Sequence, residues 1–473
     1  MKRHTRRPFT AVWVLALTVA GLGGFLAGLA ESAHPVPAAA GLALVAAQGV
    51  VPSGSEQTSS SSSGPSKTAG PHAPSGPGQA AVLSGTTAGP ASFVASGDQA
   101  QRDTAPAAGA AQERIHACGG VAAGYARCHA ILSRPAGKPT FIGTAPAGYN
   151  PAQLLSAYRL PSAGAGAGQT VAIVDAFDDP AAESDLGVYR SQFGLPACTT
   201  GNGCFRKAAQ DGSTHFPRAN GGWAQEISLD LDMVSAVCPN CRIILVEANS
   251  ASLSDLLSAL DEAVALGATV ISNSYGASEF TGETSFDAHF NRPGIAITAS
   301  SGDAGFGVQY PAASQYVTAA GGTSLTPSTN ARGWSEAAWS GAGSGCSVLE
   351  PAPSWQASNA NVAGVCSKRA TADVSAVADP NTGVSVYDSF NFHGSRGWLV
   401  FGGTSVSSPI IASVFALAGG VTTYSASYPY AHSSSLFNIT SGSNGTCGSI
   451  LCNAAPGWNG PTGLGTPNGT GGF

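Results

Sequence analysis

Unbroken apolar runs, not alternating ones, set the rhythm of this chain from residue 170 onward. Residues 170–176, 242–248, 269–275, 295–301, 316–320, 372–377 and 398–402 each read as a strand. Runs that are apolar at nearly every position suit strands covered on both faces, as parallel strands are. Helical segments fall between several of them. Ser252 followed by Asp255 marks an N-cap with an acid in the first turn, opening a helix that runs to Ala265 and stops at Gly267. Asn150-Pro151 reads as a second capped helix start. Residues 223–237 form a third helix, with Ile227, Leu231 and Val234 on one stripe. This alternation predicts a layered α/β domain, a mostly parallel seven-stranded sheet with helices on both faces. No internal repeat is evident.

The first 146 residues are written differently. Lys2, Arg3, Arg6 and Arg7 precede an apolar stretch over 11–30, and Ser32-Ala33 supplies small residues for cleavage. That order predicts a secretory signal peptide over 1–33. Gly21, Gly23, Gly24 and Gly28 weaken the rival reading of a retained membrane anchor. Residues 34–112 are rich in Ala, Gly, Ser, Pro and Thr and predict a disordered segment. A small Cys-bracketed lead-in, 113–146, then precedes a domain over 147–473. The expected protein is secreted and extracellular, a monomer with no stable membrane association once the signal is removed.

Ten cysteines in an exported chain imply disulfides. Proximity predicts the pairs Cys118–Cys128, Cys198–Cys204, Cys238–Cys241, Cys346–Cys366 and Cys447–Cys452. The Cys238-Pro239-Asn240-Cys241 spacing is that of a redox motif, but it follows a helix instead of opening one, so a structural clip is expected. No His or second CxxC is placed to complete a zinc site. Only 10% of residues are charged, the formal net charge is −6, and no basic cluster lies beyond the extreme N-terminus. That pattern excludes nucleic acid as a partner.

Three segments carry candidate chemistry. Phe401-Gly402-Gly403-Thr404-Ser405 ends an apolar strand in a tight turn, and an apolar helix follows over 410–418, with Pro409 in its first turn. A serine at such a helix start can attack a carbonyl while backbone N–H groups receive the oxyanion; an N-cap serine is the plainer reading. Glu226 and Asp230 stand at i and i+4, stacked on one helix face, where two acids resist double ionisation. The plainer reading there is a solvated acidic face. Asp232 lies two residues on and faces away from that pair. Asp303, in Ser301-Gly302-Asp303, follows a strand at the sheet edge where α/β proteins bind ligands.

Taken together these residues resemble the sedolisin family of serine-carboxyl peptidases, in particular secreted actinobacterial-type members. The resemblance runs over 147–473 and rests on Glu226-x-x-x-Asp230, Ser301-Gly302-Asp303, Gly403-Thr404-Ser405 with Pro409, and Gly457-Trp458 with Thr462-Gly463-Leu464-Gly465, in that order. It implies a subtilisin-like fold, Ser405 as nucleophile, Glu226 as general base and acid, Asp230 as its orienter and Asp303 at the oxyanion hole. It implies peptide substrates, no cofactor for the chemistry, and activity in acid. Asp175 and Tyr275 fall where the family has supporting residues, often Glu and Trp. The family's calcium positions correspond to Asn438, Ile439, Ala455, Gly457 and Asn459, with two amides where carboxylates are usual, so weak or absent calcium binding is expected. Family precursors carry a folded inhibitory propeptide, whereas the region before Cys118 is low-complexity.

Other readings have their own requirements. An Asp/His/Ser peptidase needs a His-Gly-Thr-like helix start, which none of the nine His provides; His393-Gly394 sits in a polar loop. An α/β-hydrolase needs Gly-x-Ser-x-Gly, unlike Gly-Thr-Ser-Val-Ser here. The retained alternatives are a catalytically inactive binding or surface protein on the same scaffold and a tripeptidyl-type exopeptidase.

Overall fold

A computed structural model describes residues 112–136, 145–161 and 164–473. The signal peptide expected over 1–33 and nearly all of the 34–112 segment lie outside the described residues. The main sheet has eight strands. In spatial order these are Trp334–Ala338, Thr318–Pro327, Ala296–Ser300, Val270–Asn273, Thr170–Ala176, Arg242–Ala248 and Phe205–Ala209, and Val374–Val377 also pairs with Thr318–Pro327. Seven of them are mutually parallel, and Trp334–Ala338 alone is antiparallel. Every residue of Thr170–Ala176 is buried, which fits its apolar run and a sheet covered on both faces.

The seven parallel strands are not quite the seven expected. Phe205–Ala209 is an additional edge strand, whose Phe-Arg-Lys-Ala-Ala sequence lacks the apolar run of its neighbours. Residues 398–402 belong elsewhere. Ser395–Gly402 pairs antiparallel with Val384–Phe392 and with Ile131–Pro135, and Gln112–His116 completes that four-stranded sheet. The Cys-bracketed segment therefore contributes two strands to this sheet. The run over 269–275 is broken after Asn273, and Tyr275–Ser278 joins a small separate sheet with Arg127–Cys128 and Gln309–Tyr310.

Helix Leu253–Ala265 starts at Ser252, whose side chain accepts the Asp255 N–H. It packs on strands Thr170–Ala176 and Arg242–Ala248. Pro151–Ala157 has a reciprocal capping box between Asn150 and Gln153. Two helices lie deep in the core and pack on each other, Gly221–Val237 and Thr404–Leu417. The latter starts at Thr404, which puts Ser405 at a helix start as expected, but Pro409 is its sixth residue and so lies beyond the first turn. Its missing N–H falls where a bond to the Ser405 carbonyl would form. All five disulfides join the expected neighbours. Among the described residues no helix is long and apolar enough to cross a membrane.

Near the C-terminus the two amides at the family's calcium positions do a cation's work themselves. Asn459 Nδ2 donates to the carbonyls of Ile439 and Ala455, 3.1 Å each. Its Oδ1 accepts from Thr462 N and Oγ1. Asn438 Nδ2 donates to the Gly457 carbonyl at 2.8 Å. The three carbonyls that would face a cation thus already face N–H donors. Calcium prefers anionic oxygen ligands, and these residues do not fit it. A second buried device is an ion pair four positions apart. Arg369 and Asp373 form a fully buried ion pair, and Arg369 also donates to the carbonyls of Ser314, Ala370 and Val317. Asp373 accepts from Ala319 N, Gln356 Nε2 and the Tyr430 hydroxyl.

Three outcomes are expected. A calcium chelator should leave the melting temperature unchanged, and the double change Asn438→Asp with Asn459→Asp should make it rise on adding calcium. A chelator-induced drop in the natural protein would show that amides and carbonyls suffice. Arg369→Met should destabilise by about 3–5 kcal/mol, because it strands the buried Asp373 charge; denaturant unfolding measures it.

Candidate active site

The turn before helix Thr404–Leu417 decides where Ser405 stands. Gly403 has φ +95°, a conformation suited to glycine. A Cβ there would lie 1.7 Å from the His129 carbonyl oxygen and 2.9 Å from Asp303 Oδ2. Thr404 fixes the turn from the other side. Its N–H and its hydroxyl both donate to Asp303 Oδ1, each at 2.8 Å, and its Oγ1 accepts the Gly302 N–H at 3.1 Å. The strand end carrying Asp303 and the helix start carrying Ser405 are thereby tied together. Ser405 is buried as the second helical residue, and its hydroxyl donates to the Ser274 carbonyl at 3.3 Å.

Helix Gly221–Val237 delivers the acids. Asn220 caps it, accepting from the N–H groups of Gly222 and Trp223. The helix is buried on all sides, so the expected single apolar stripe is one part of a wholly covered surface. Glu226 and Asp230 are fully buried, which overturns the solvated-face reading. Asp232 is also buried and accepts the Tyr387 N–H at 2.9 Å, away from the pair. Asp175, at the end of the central strand, joins Glu226 and Asp230 as a third buried acid, and both its oxygens lack protein partners.

Burial dominates the electrostatics. It pushes the Asp175 carboxyl up to about 8. It pushes Glu226 and Asp230 well above the usual carboxylate range, with the Asp175 charge adding to both. The Ser405 hydroxyl interacts with Glu226 and opposes its shift. Ser274 Oγ donates to Asp230 Oδ1 at 2.9 Å and holds it in place. Burial also raises Asp303 to about 7, against the two bonds from Thr404. Since Oδ1 already takes both Thr404 donors, the unpartnered Oδ2 is the atom left to carry a proton. It faces the space beside Gly403.

Tyr275 makes no hydrogen bond to the acids, although burial and then the neighbouring Asp175 charge push its hydroxyl well above its usual range. Its hydroxyl donates to Asn273 Oδ1 at 2.8 Å. Thr404 and Ser274 were missed from sequence, although each adjoins a residue that was singled out. His129, also missed, is buried by the site, but its ring bonds Ser300 and Gln309 and not Ser405. Among the described residues no group of three His, Cys, Asp or Glu is set to hold a metal ion.

An extended stretch of the chain itself crosses this centre. Arg127 and Cys128 pair antiparallel with Gly276 and Tyr275, and the His129 N–H donates to the Ser274 carbonyl at 3.2 Å. On the opposite edge the Ala126 N–H donates to the Ala251 carbonyl at 2.8 Å. The Ala130 N–H then donates to Glu226 Oε2, 2.8 Å away. Beyond it Ile131 and Leu132 pair with Gly402 and Phe401.

Comparison with known proteins gives the geometry its relatives. Residues 216–426 match the Subtilase family model. Kumamolisin of Bacillus sp. (strain MN-32) is 30% identical over 365 residues, 69% of this chain. Sedolisin of Pseudomonas sp. (strain 101) is 27% identical over 389 residues, 72% of this chain. The chain spans 63% of the length of each of these two curated relatives. Among solved structures, Pseudomonas sedolisin, a serine-carboxyl proteinase complexed with two molecules of pseudo-iodotyrostatin, is 27% identical with a TM-score of 0.58. That match covers 68% of this chain and 96% of the other. On a subtilisin-like α/β fold, with Glu226, Asp230, Asp303 and Ser405 gathered at one helix start, the chain belongs to the sedolisin family.

Proposed function

We propose that the protein is a secreted serine-carboxyl endopeptidase that works in acid. One observation carries the reading: a buried serine at a helix start shares its pocket with a cluster of raised-pKa carboxyls and a separate neutral acid. Perturbed acids of this kind concentrate at catalytic sites. Ser405 Oγ attacks the peptide carbonyl as Glu226 takes its proton. Asp230 and Asp175 share that proton's electrostatic load, so the three titrate together. Asp303 Oδ2–H donates to the oxyanion. Glu226 then passes the proton to the leaving nitrogen, and water completes hydrolysis of the acyl-enzyme by the reverse route. Endo action is favoured over tripeptidyl release by the extended stretch 126–132, which has backbone partners on both sides of Ser405.

The pH dependence follows from Asp303. Its carboxyl is protonated below about 7 and ionised above. An ionised group there would repel the oxyanion. Activity should therefore be high in acid and fall as pH rises through about 7, where Asp303 ionises; it should fall again at lower pH, where the coupled Glu226, Asp230 and Asp175 take up their last proton and Glu226 can no longer act as base. Asp303→Asn keeps Oδ1 for Thr404 and offers a permanent N–H in place of the Oδ2 proton. That variant should retain part of its activity and extend it to higher pH. Hydrolysis of an unfolded protein between pH 3 and 9 measures both; a natural optimum above pH 7 would sink the serine-carboxyl mechanism. Ser405→Ala should lose activity by on the order of 10⁶-fold, the loss seen for a nucleophile in a related triad, while its melting temperature stays close to that of the natural protein. Full activity in that variant would remove Ser405 as nucleophile.

A further inference from the structure

Outside the active site, four carboxyls meet with no cation among them. Glu279, Glu283 and Asp287 follow one another after strand Tyr275–Ser278, and Glu350 faces them from a turn further along the chain. Glu283 and Glu350 are fully buried and Asp287 nearly so. Among the described residues none of the four enters an ion pair. The cations on their own segment, His289 and Arg292, both bond Asp261 instead. Arg369, whose charge reaches Glu350, is spent on both oxygens of Asp373. Two of the four acids, Asp287 and Glu350, line a cavity of about 420 Å³, with Ala288 and Asn291 exposed at its rim and Gln315 and Tyr316 along its wall. We propose that this cavity binds an ammonium or guanidinium group carried on an organic stem, with the carboxyls of Asp287 and Glu350 as its partners. The site holds whether or not Ser405 is a nucleophile.

Glu350 carries the argument. Both its oxygens are buried, and neither has a hydrogen-bond partner in the protein. Asp287 lies within hydrogen-bond reach of it. Two carboxylates, however, offer each other only acceptors, so a proton or a cation must join them. The main chain at Glu350 is held firmly enough to present the side chain. Ser347 Oγ accepts the Leu349 and Glu350 N–H groups, at 3.0 and 2.7 Å, and donates to Glu279. The Arg369 N–H donates to the Glu350 carbonyl at 3.1 Å. Opposite, the Tyr310 hydroxyl donates to Asp287 Oδ1 at 3.2 Å.

The cavity selects the class of cation. Among the described residues no three acids are gathered as a metal ion requires. Calcium takes about six to eight oxygen ligands, and Glu279 and Glu283 do not line the cavity. Its volume is also many times the ~30 Å³ share of one water molecule. An ammonium or guanidinium on a stem suits it better. Carboxylates accept charge-assisted hydrogen bonds from both groups. The Gln315 amide oxygen can accept a further N–H. Tyr316 supplies an aromatic wall of the kind that attracts such cations.

Binding should exchange one positive charge for another. Burial pushes the Glu350 carboxyl up to about 9; the Asp287 charge beside it adds to the rise, and Glu283 and Glu279 contribute less. The empty cavity therefore keeps a proton on Glu350 through neutral pH. An arriving cation replaces it, so a proton leaves as the ligand enters. Affinity should then rise with pH below about 9, by as much as about tenfold per unit.

The full chain carrying Ser405→Ala, so that self-digestion does not interfere, would be titrated with agmatine and with cadaverine. Calorimetry at fixed salt, from about pH 6 to about pH 8 and in two buffers of different ionisation enthalpy, reads affinity and proton release together. One saturable site, proton release, tighter binding at higher pH and a ligand-induced rise in melting temperature are expected. Glu350→Gln should weaken binding at least about tenfold, the loss of one charge-assisted hydrogen bond. Asp211→Asn, which removes an exposed acid outside the cavity, should bind as before. Ala288→Lys sets an ammonium of the chain's own at the rim; amine binding should vanish and the melting temperature rise without ligand. A blocked peptide with a single Arg separates two sources of the group. Binding as tight as that of agmatine assigns the site to polypeptide side chains, and no binding assigns it to free amines. A folded protein with no saturable amine site, undiminished binding in Glu350→Gln, or calcium bound there in place of the amines would overturn the inference. None of these results bears on hydrolysis, which digestion of an unfolded protein by the natural chain tests separately.

Discussion

Everything at the centre of this molecule depends on two hydrogen bonds from Thr404 to one oxygen of Asp303. They join the end of a parallel strand to the start of the most buried helix. Without them nothing fixes the height of Ser405 relative to the carboxyl opposite. They also divide the labour within Asp303, since the oxygen that is bonded twice cannot hold the proton and the other must. Gly403 makes the arrangement possible by having no side chain where a carbonyl and a carboxyl converge. The strain-prone residue, the anchor and the nucleophile are therefore consecutive, and altering any of them disturbs the others.

The order of the elements was legible because parallel strands are buried on both faces and say so in unbroken apolar runs. Residues 170–176 and 242–248 needed nothing more. Phe205–Ala209 escaped because an edge strand can be polar on its open side, and its Arg206 is exposed. Residues 398–402 misled for the opposite reason. The strand is apolar enough for the main sheet but pairs with Val384–Phe392 and Ile131–Pro135. Pro409 was placed in a first turn by propensity, whereas the Asp303–Thr404 contact starts the helix earlier and tertiary structure overrides the local preference.

Within the site, the acids that share a helix face were readable from spacing alone. Asp175 was placed only by resemblance, since it meets Glu226 and Asp230 through the fold and not through proximity in sequence. Ser274 and Thr404 were hidden for a different reason. Small hydroxyl residues are common at strand ends and helix starts, and only geometry reveals which of them anchors a catalytic carboxyl. His129 was unreadable because its neighbours in space, Ser300 and Gln309, lie some 170 positions and more away along the chain.

The buried acids have an effect that reaches beyond catalysis. A count of residues assigns the chain a formal charge of −6, with every carboxyl ionised. Burial keeps Asp175, Glu247, Glu283 and Asp388 protonated up to about 8 and Glu350 up to about 9. The unfolded chain would release those protons several pH units earlier. Folding at neutral pH is thus also a chemical reaction with the solvent, in which the chain draws protons out of it and sheds much of its anionic character. The surface seen by a neighbouring molecule is accordingly less negative than the sequence advertises, and the folded protein is a weaker repeller of its own copies than its composition would indicate.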